Sequence, residues 1–394
     1  MHDPLNVSAD GVRKAFAGAE NLQTPCVVVD EPRLDANIAR MQSIVDNQVE
    51  LHPHIKTHKS VALARRQLAA GARGITASHA AEAAVFIRAG ISPVTVAYPL
   101  VASRQVVGLL KLAADHDAEL RFIVDSSFGL DVLEQAAAET GRAGGVFLKI
   151  DVGLHRCGVD PESSESLVQA DRLARSKHRF MGLLSHAGHA YGAGNPDGVR
   201  KAATDERETL LRFREALRGS GIDVPRISIG STPTMLCNDG FEGIDEVRPG
   251  NYVFLDLTAV RLGIATRSEI ALAVATTIIS ANRDFYIIDA GSKTLSSDLG
   301  PHSVGTGTAF GEAWSDELET PLIVTRLSEE HGMVARGATD LAIGDRLLIY
   351  PNHSCVVVNL AAGLHLVGGG EQRRLAIDAA DNRIRAQGDG EDRD

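Results

Sequence analysis

Residues 50–98 read ELHPHIKTHKSVALARRQLAAGARGITASHAAEAAVFIRAGISPVTVAY, and the order of elements in that stretch decides the fold. Three short β-rich runs, Glu50–Lys56, Gly74–Ser78 and Val94–Tyr98, alternate with two segments, Val61–Ala70 and Ala80–Gly90, whose apolar residues recur three and four positions apart. A strand followed by an amphipathic helix and a second strand is the unit of a parallel sheet with helical crossovers. Gly71 and Gly90 stand where the two helices should stop.

The alternation continues outward. Further strands are predicted at Arg121–Asp125, Val146–Asp151, Met181–His186, Arg226–Ser231 and Glu246–Gly250, with helices over Arg104–His116, Leu130–Thr140 and Gly198–Ser220. Eight parallel strands predict an α/β fold closed as a (β/α)8, TIM-like barrel. Ahead of it TPCVVVD (24–30) reads as a strand and Pro32–Asn47 as a helix, with Leu34, Ile38, Met41 and Val45 on one face. Beyond residue 252 the helical period gives way to ALAVATTII, DFYIIDA, PLIVTRL, DRLLIYP and CVVVNLA, divided by turn residues, which is the pattern of a mostly antiparallel β domain. The expected division is therefore a barrel over 24–252 and a β domain over 253–378, which the segment 1–30 can join. The polar stretch 379–394 has no apolar anchors and is expected to be a flexible tail.

The 394 residues leave room for two domains. A formal charge of −11 and a pI near 5.7, with no basic stripe, argue against nucleic acid as a partner. No stretch approaches the roughly 18 apolar residues of a membrane span, and the first thirty residues lack a signal pattern, so a cytoplasmic location is expected. Cys26, Cys157, Cys237 and Cys355 stand singly, as reduced thiols do.

In such a barrel the chemistry sits where the strands end. The first strand runs into HPHIKTHKS (52–60), and if it stays extended His52, His54, Lys56 and His58 share the lumenal face. A desolvated lysine among other cations has a lowered pKa and becomes an amine nucleophile. The same cluster also suits a metal site or a solvated basic strand end. Arg156 in DVGLHRCGVD (151–160) can offer a rigid fork to a carboxylate or phenolate, or form a surface salt bridge. GSTPT (230–234) and RPGNY (248–252) close the last two strands, where backbone N–H groups and hydroxyls can cradle a phosphate. His186 and His189 in SHAGHAYG (185–192) are acid–base or ring-stacking candidates, or ordinary loop histidines. YPNHSCVVVN (350–359) sets His353 and Cys355 two apart, on one face of an expected strand, as a zinc-binding pair or as a buried thiol beside a structural histidine.

Taken in order, TPCVVVD, PHIKTHKS, GITAS with AEAAVF, DVGLHRCGVD, SHAG, GSTPT, EVRPGNYVFLDL, DAGSKTLSSD, EEHG and PNHSC resemble the fold-type III pyridoxal-5′-phosphate (PLP) enzymes. The similarity is to the D-serine dehydratase and D-threonine aldolase group, with its alanine racemase-like N-terminal barrel, and it runs from about Thr24 to Val367. The resemblance implies PLP carried as a Schiff base on Lys56, with Arg156 against the cofactor and the phosphate held by Gly230, Ser231, Thr232, Gly250, Asn251 and Tyr252. His54 and His186 are the further cofactor contacts expected, with His186 and Lys56 as the catalytic groups. It also implies a divalent metal on His353 and Cys355, zinc ahead of manganese or magnesium, and a homodimer. Cysteine at the second metal position, together with the SHAG and GSTPT segments, sides with the dehydratases. The implied activity is loss of water from a D-β-hydroxy-amino acid such as D-serine or 3-hydroxy-D-aspartate, giving a 2-oxo acid and ammonia. The alternatives are retro-aldol cleavage to glycine and an aldehyde, racemisation, and a non-catalytic PLP-binding barrel.

Overall fold

The computed structural model describes residues 15–300, 309–370 and 372–380; the expected tail beyond residue 380 and the first fourteen residues lie outside them. The chain forms two compact units. Among the described residues, Gln42–Ala190 and Asp197–Gly250 make up most of one, and 15–41, Tyr191–Pro196 and Asn251–Ile377 make up the other.

The first unit is the barrel. Its eight strands, in chain order, are Glu50–Leu51, Ile75–Ala77, Val94–Val96, Leu120–Val124, Gly145–Lys149, Arg179–Leu184, Ile227–Ile229 and Glu246–Val247, and each overlaps a run read from the sequence. Neighbours pair in parallel from the second strand to the eighth, and the eighth pairs with the first. A parallel bridge between His54 and Thr76 joins the first strand to the second, so the sheet returns on itself. The fourth and fifth strands are buried at every position, as parallel strands are when helices cover one face and the lumen fills the other. The crossover helices Val61–Ala69, Ala80–Arg88, Ser103–Asp115, Ser127–Thr140 and Pro196–Gly219 lie where the 3.6-residue period places them. A further helix, Ser164–Ala174, buries only Ser166, Ala170 and Leu173, so its core face is too small and polar to show in a hydrophobic pattern.

The N-terminal end of the barrel is sealed by charges. The fully buried Glu246 carboxylate accepts from Arg121 Nη1 at 3.0 Å and from Ser228 Oγ at 2.6 Å. His52 Nε2 lies 3.5 Å from Glu246 and 3.2 Å from Glu50, and Glu50 also pairs with Arg226. A carboxylate in a protein interior is tolerated only when its charge and lone pairs are met in this way.

Among the described residues the second unit holds a nine-stranded sheet. Six of its strands close on themselves in the order Phe285–Ile288, Gly332–Ala335, Leu322–Leu327, Gly311–Trp314, Arg346–Pro351 and Leu272–Ala281, the last pairing back with the first. The strand Cys26–Asp30 extends this sheet, antiparallel to the first half of Leu272–Ala281 and parallel to Leu364–Val367. One expected strand is not there: CVVVNLA lies in a helix, Ser354–Leu360, that buries Val357 and Val358. The β-branched run favours a strand locally, but burying two valines on one helical face outweighs that weak preference. Among the described residues no helix is long and apolar enough to cross a membrane.

The charge seal sets an acid limit on stability. The hydrogen bond from His52, then those from Arg226, lower the Glu50 pKa from 4.5 to about 2 against a smaller opposing effect of burial. A carboxylate with a depressed pKa stabilises the fold above its unfolded pKa, and that stability is lost as pH falls through the folded value. The urea midpoint is therefore expected to fall between about pH 4.5 and 2, and Glu50→Gln to flatten the fall. An equally steep fall in the variant would assign the acid limit to other groups.

Candidate active site

The chain leaves the first barrel strand sharply. His54 is still extended and donates its N–H to the Pro249 carbonyl at 2.9 Å, but Ile55–Thr57 form a single 3-10 turn. The expected alternation of His52, His54, Lys56 and His58 on one extended face therefore fails after His54. The His52 ring stays at the base of the barrel with Glu50 and Glu246. His58 is buried and held by Gln67 at 3.1 Å, and Lys59 forms a 3.0 Å ion pair with Glu82. These three residues serve packing, which removes the all-histidine metal site left open by the spacing. Lys56 sits in the turn itself, at the C-terminal end of the first strand.

Around Lys56 the other strand ends converge electrostatically. The His54 pKa is pushed well below its ordinary value, first by burial and then by the cations of Lys56, Arg248, Arg156 and Lys59. His186, after the sixth strand, is lowered for the same reasons, burial first and then Lys56, Lys149 and Arg156. Both rings are therefore neutral at pH 7. Arg156 is exposed on the loop after the fifth strand and makes no ion pair among the described residues, so it is not a surface salt bridge. That loop is shaped by Asp151, which accepts from the backbone N–H of Gly153 and of His155. His189 has a buried Nδ1 with no hydrogen-bond partner among the described residues, and its ring lies against Gly153.

The seventh and eighth strand ends supply the turn GSTPT and the segment RPG. Gly230 has φ +105°, and a Cβ there would sit 3.1 Å from the Met235 sulfur. Ser231 and Thr234 bond each other reciprocally, with Ser231 N–H donating to Thr234 Oγ1 at 2.9 Å. The neighbouring Thr232 Oγ1 is buried and has no partner among the described residues, and the same holds for His54 Nδ1. Gly250 presses on the first strand: a Cβ would lie 2.8 Å from the His54 carbonyl oxygen and 3.1 Å from Thr57 Oγ1. Arg248 is buried and ties the eighth strand to Ser228 Oγ at 2.5 Å and to the Ser185 carbonyl. Its neighbours Asn251 and Tyr252 belong to the second unit, where Asn251 donates to Asp256 at 2.6 Å and Tyr252 is buried.

Sequence reasoning missed Lys149, the last residue of the fifth strand. It is buried, and its pKa falls to about 7, first through burial and then through Arg248 and Arg156, while Cys157 and Glu206 oppose the fall. A lysine inside the apolar run VFLKID was the available signal. Glu206 was missed as well, although it breaks the apolar face of its helix.

In the second unit His353 caps the Ser354–Leu360 helix and Cys355 lies in its first turn, so helix geometry rather than strand alternation brings the pair together. The His353 pKa rises to about 10: burial opposes the rise, but Cys355 and Asp298 outweigh it, Asp298 Oδ2 lying 2.9 Å from His353 Nδ1. An imidazole and a thiol in hydrogen-bonding contact fit a soft divalent ion once both give up their protons. A second cluster of metal-ligand type, Glu50 with His52 and Glu246, is instead an ion-pair network, because Arg121 and Arg226 already meet its carboxylates.

Residues 29–258 match the family model of the alanine racemase N-terminal domain, which is more than half of the chain. The chain belongs to the alanine racemase N-terminal domain family. A serine dehydratase domain model matches residues 271–367. The D-threo-3-hydroxyaspartate dehydratase of Delftia sp. (strain HT23) is 36% identical, over 85% of this chain and 91% of the relative. The D-threonine aldolase of Arthrobacter sp. is 31% identical, over 89% of this chain and 90% of that one. The solved structure of the Delftia dehydratase superposes with a TM-score of 0.84 at 33% identity, covering 91% of this chain and 98% of that chain. The family implies PLP, and the barrel fits it: an amine on Lys56 at a strand end and, among the described residues, buried unpartnered polar atoms on His54 and Thr232.

The Gly250 approach is testable. Gly250→Ala pushes a methyl group against backbone rather than a yielding side chain, so the variant is expected to lose about 1–3 kcal/mol in urea unfolding. A midpoint within error of wild type would show that the seam has slack.

Proposed function

We propose that this member of the alanine racemase N-terminal domain family is a PLP- and divalent-metal-dependent lyase of D-β-hydroxy-amino acids. The reaction is the dehydration of a substrate of the D-serine or 3-hydroxy-D-aspartate type to a 2-oxo acid and ammonia. The observation that carries the reading is the set of strand ends around Lys56, where two histidines are held neutral among several cations. Lys56 holds the cofactor covalently and, once released, takes the proton from Cα. PLP supplies the electron sink for the charge that proton leaves behind.

Neutral His54 and His186 bear on that charge without adding to it, and in this reading His186 passes a proton. Arg156 presents its guanidinium fork to the cofactor's phenolate or to the substrate carboxylate. Gly230, Ser231, Thr232, Gly250, Asn251 and Tyr252 form the phosphate-binding segments of this reading: Thr232 offers its hydroxyl, and the others shape the turns around it. His353 and Cys355 would hold a divalent metal, zinc ahead of manganese or magnesium, which would supply Lewis acidity for departure of the substrate hydroxyl. Cysteine at position 355 and the Delftia relative support dehydration. Retro-aldol cleavage is the second reading, which the Arthrobacter relative supports. A cytoplasmic homodimer completes the proposal, and light scattering reads the oligomeric state.

Purified protein is expected to show the visible absorption of lysine-bound PLP, and Lys56→Ala to abolish it; a band that survives rejects the anchor. With D-serine, D-threonine and 3-hydroxy-D-aspartate in the presence of Zn²⁺ or Mn²⁺, oxo acid and ammonia should appear. Glycine and aldehyde without ammonia would replace dehydration by the aldol reading. Chelation is expected to lower turnover while PLP stays bound, and Cys355→Ala to do the same. Undiminished turnover in metal-free protein would remove the metal from the reaction.

A further inference from the structure

The helix Pro196–Gly219 buries Val199, Ala202, Glu206, Leu210, Phe213 and Leu217, a stripe spaced by threes and fours in which one member is an acid. Glu206 is fully buried, and a carboxylate in an apolar stripe costs several kcal/mol unless its lone pairs are met. Those of Oε1 are met by residues of the site, while Oε2 is buried with no hydrogen-bond partner among the described residues. Oε1 accepts from Ser185 Oγ at 2.6 Å, from the Ala187 N–H at 3.1 Å and from the Gly230 N–H at 3.4 Å. Ser185 and Ala187 flank His186, and Gly230 opens the GSTPT turn. The two segments also touch directly, since His186 Nδ1 lies 3.3 Å from the Gly230 carbonyl. Glu206 is in addition a counter-charge to the buried cations Lys149 and Arg248.

We propose that Glu206 is a positioning residue that locks the His186 loop and the Gly230–Thr232 turn into one rigid unit. Three bonds on a single oxygen set the distance between the histidine and the turn. They also sort the donors of the turn. The Gly230 N–H is committed to Glu206, the Ser231 N–H to Thr234 Oγ1 and the Thr234 N–H to Ser231 Oγ. The buried Thr232 hydroxyl is the side-chain group left over for an anion. The inference rests on the PLP reading above, because the anion held there is the cofactor's phosphate.

The experiment measures PLP affinity and the visible circular dichroism of lysine-bound PLP in wild type, Glu206→Gln, Glu206→Leu and Ser185→Ala. Gln keeps an acceptor oxygen of the same reach, so affinity within about threefold of wild type is expected. Leu leaves the Ser185 hydroxyl and two N–H groups without an acceptor, and PLP binding should weaken roughly tenfold or more, with altered dichroism. Ser185→Ala removes one bond and leaves the stripe intact, so it is expected to weaken PLP by a few-fold even if the Leu variant does not fold. If Leu lowers the melting temperature while PLP affinity and dichroism stay at wild-type values, Glu206 is only a packing residue and the inference is overturned. Wild-type affinity and dichroism in Ser185→Ala overturn it as well. A wild-type protein that takes up no PLP defeats the functional reading itself, whereas uptake that ignores these substitutions defeats only this inference.

Discussion

The barrel closes at one seam, and the rest of the site depends on how tightly it does so. At the seam the His54 N–H donates to Pro249, His54 bridges to Thr76, and a Cβ on Gly250 would press to 2.8 Å from the His54 carbonyl oxygen. Backbone pressed against backbone leaves little room to continue a flat strand. The chain turns out of the sheet at once, in the Ile55–Thr57 turn that carries Lys56. The position of the amine is thus a consequence of ring closure and not of a separate loop.

The two ends of the barrel treat charge in opposite ways. At the N-terminal end Glu246, Glu50 and Glu119 meet Arg121, Arg226 and Arg179, and the network is paired throughout. At the C-terminal end Lys56 and Arg156 act on both histidines, Arg248 on His54 and Lys149 on His186, with Glu206 as a buried counter-charge to Lys149 and Arg248. An excess of cations in a desolvated place keeps nearby imidazoles neutral and favours an anionic guest. The two ends are therefore built for different tasks: the first stabilises the fold, and the second is left short of negative charge.

The eight strands were legible because a parallel sheet covered on both faces needs continuous apolar runs, and helices on its outside need a 3.6-residue stripe. Lys56 was conspicuous as a candidate as well, because it is a lysine at a strand end among histidines. The Ser164–Ala174 helix was not, since its buried face carries only serine, alanine and leucine. Nor was the helix at Ser354–Leu360, where three consecutive valines favour a strand by every local measure. Glu206 was hidden for the converse reason: one acid in an apolar stripe reads as an imperfection until its partners are known.

By itself, then, the sequence determined the eight barrel strands, the barrel, the β-rich second unit and the residue types available for chemistry, because these follow from periodicity and from side-chain chemistry. Only the tertiary structure decided which of those residues lie together at the strand ends around Lys56. His52 and His58 left it for the packing while Lys149 and Arg248 entered it, since burial and through-space charge depend on contacts between segments far apart in the chain. Tertiary structure likewise decided that His353 and Cys355 meet across a helix cap, because backbone direction at that point is set by what the following valines can bury.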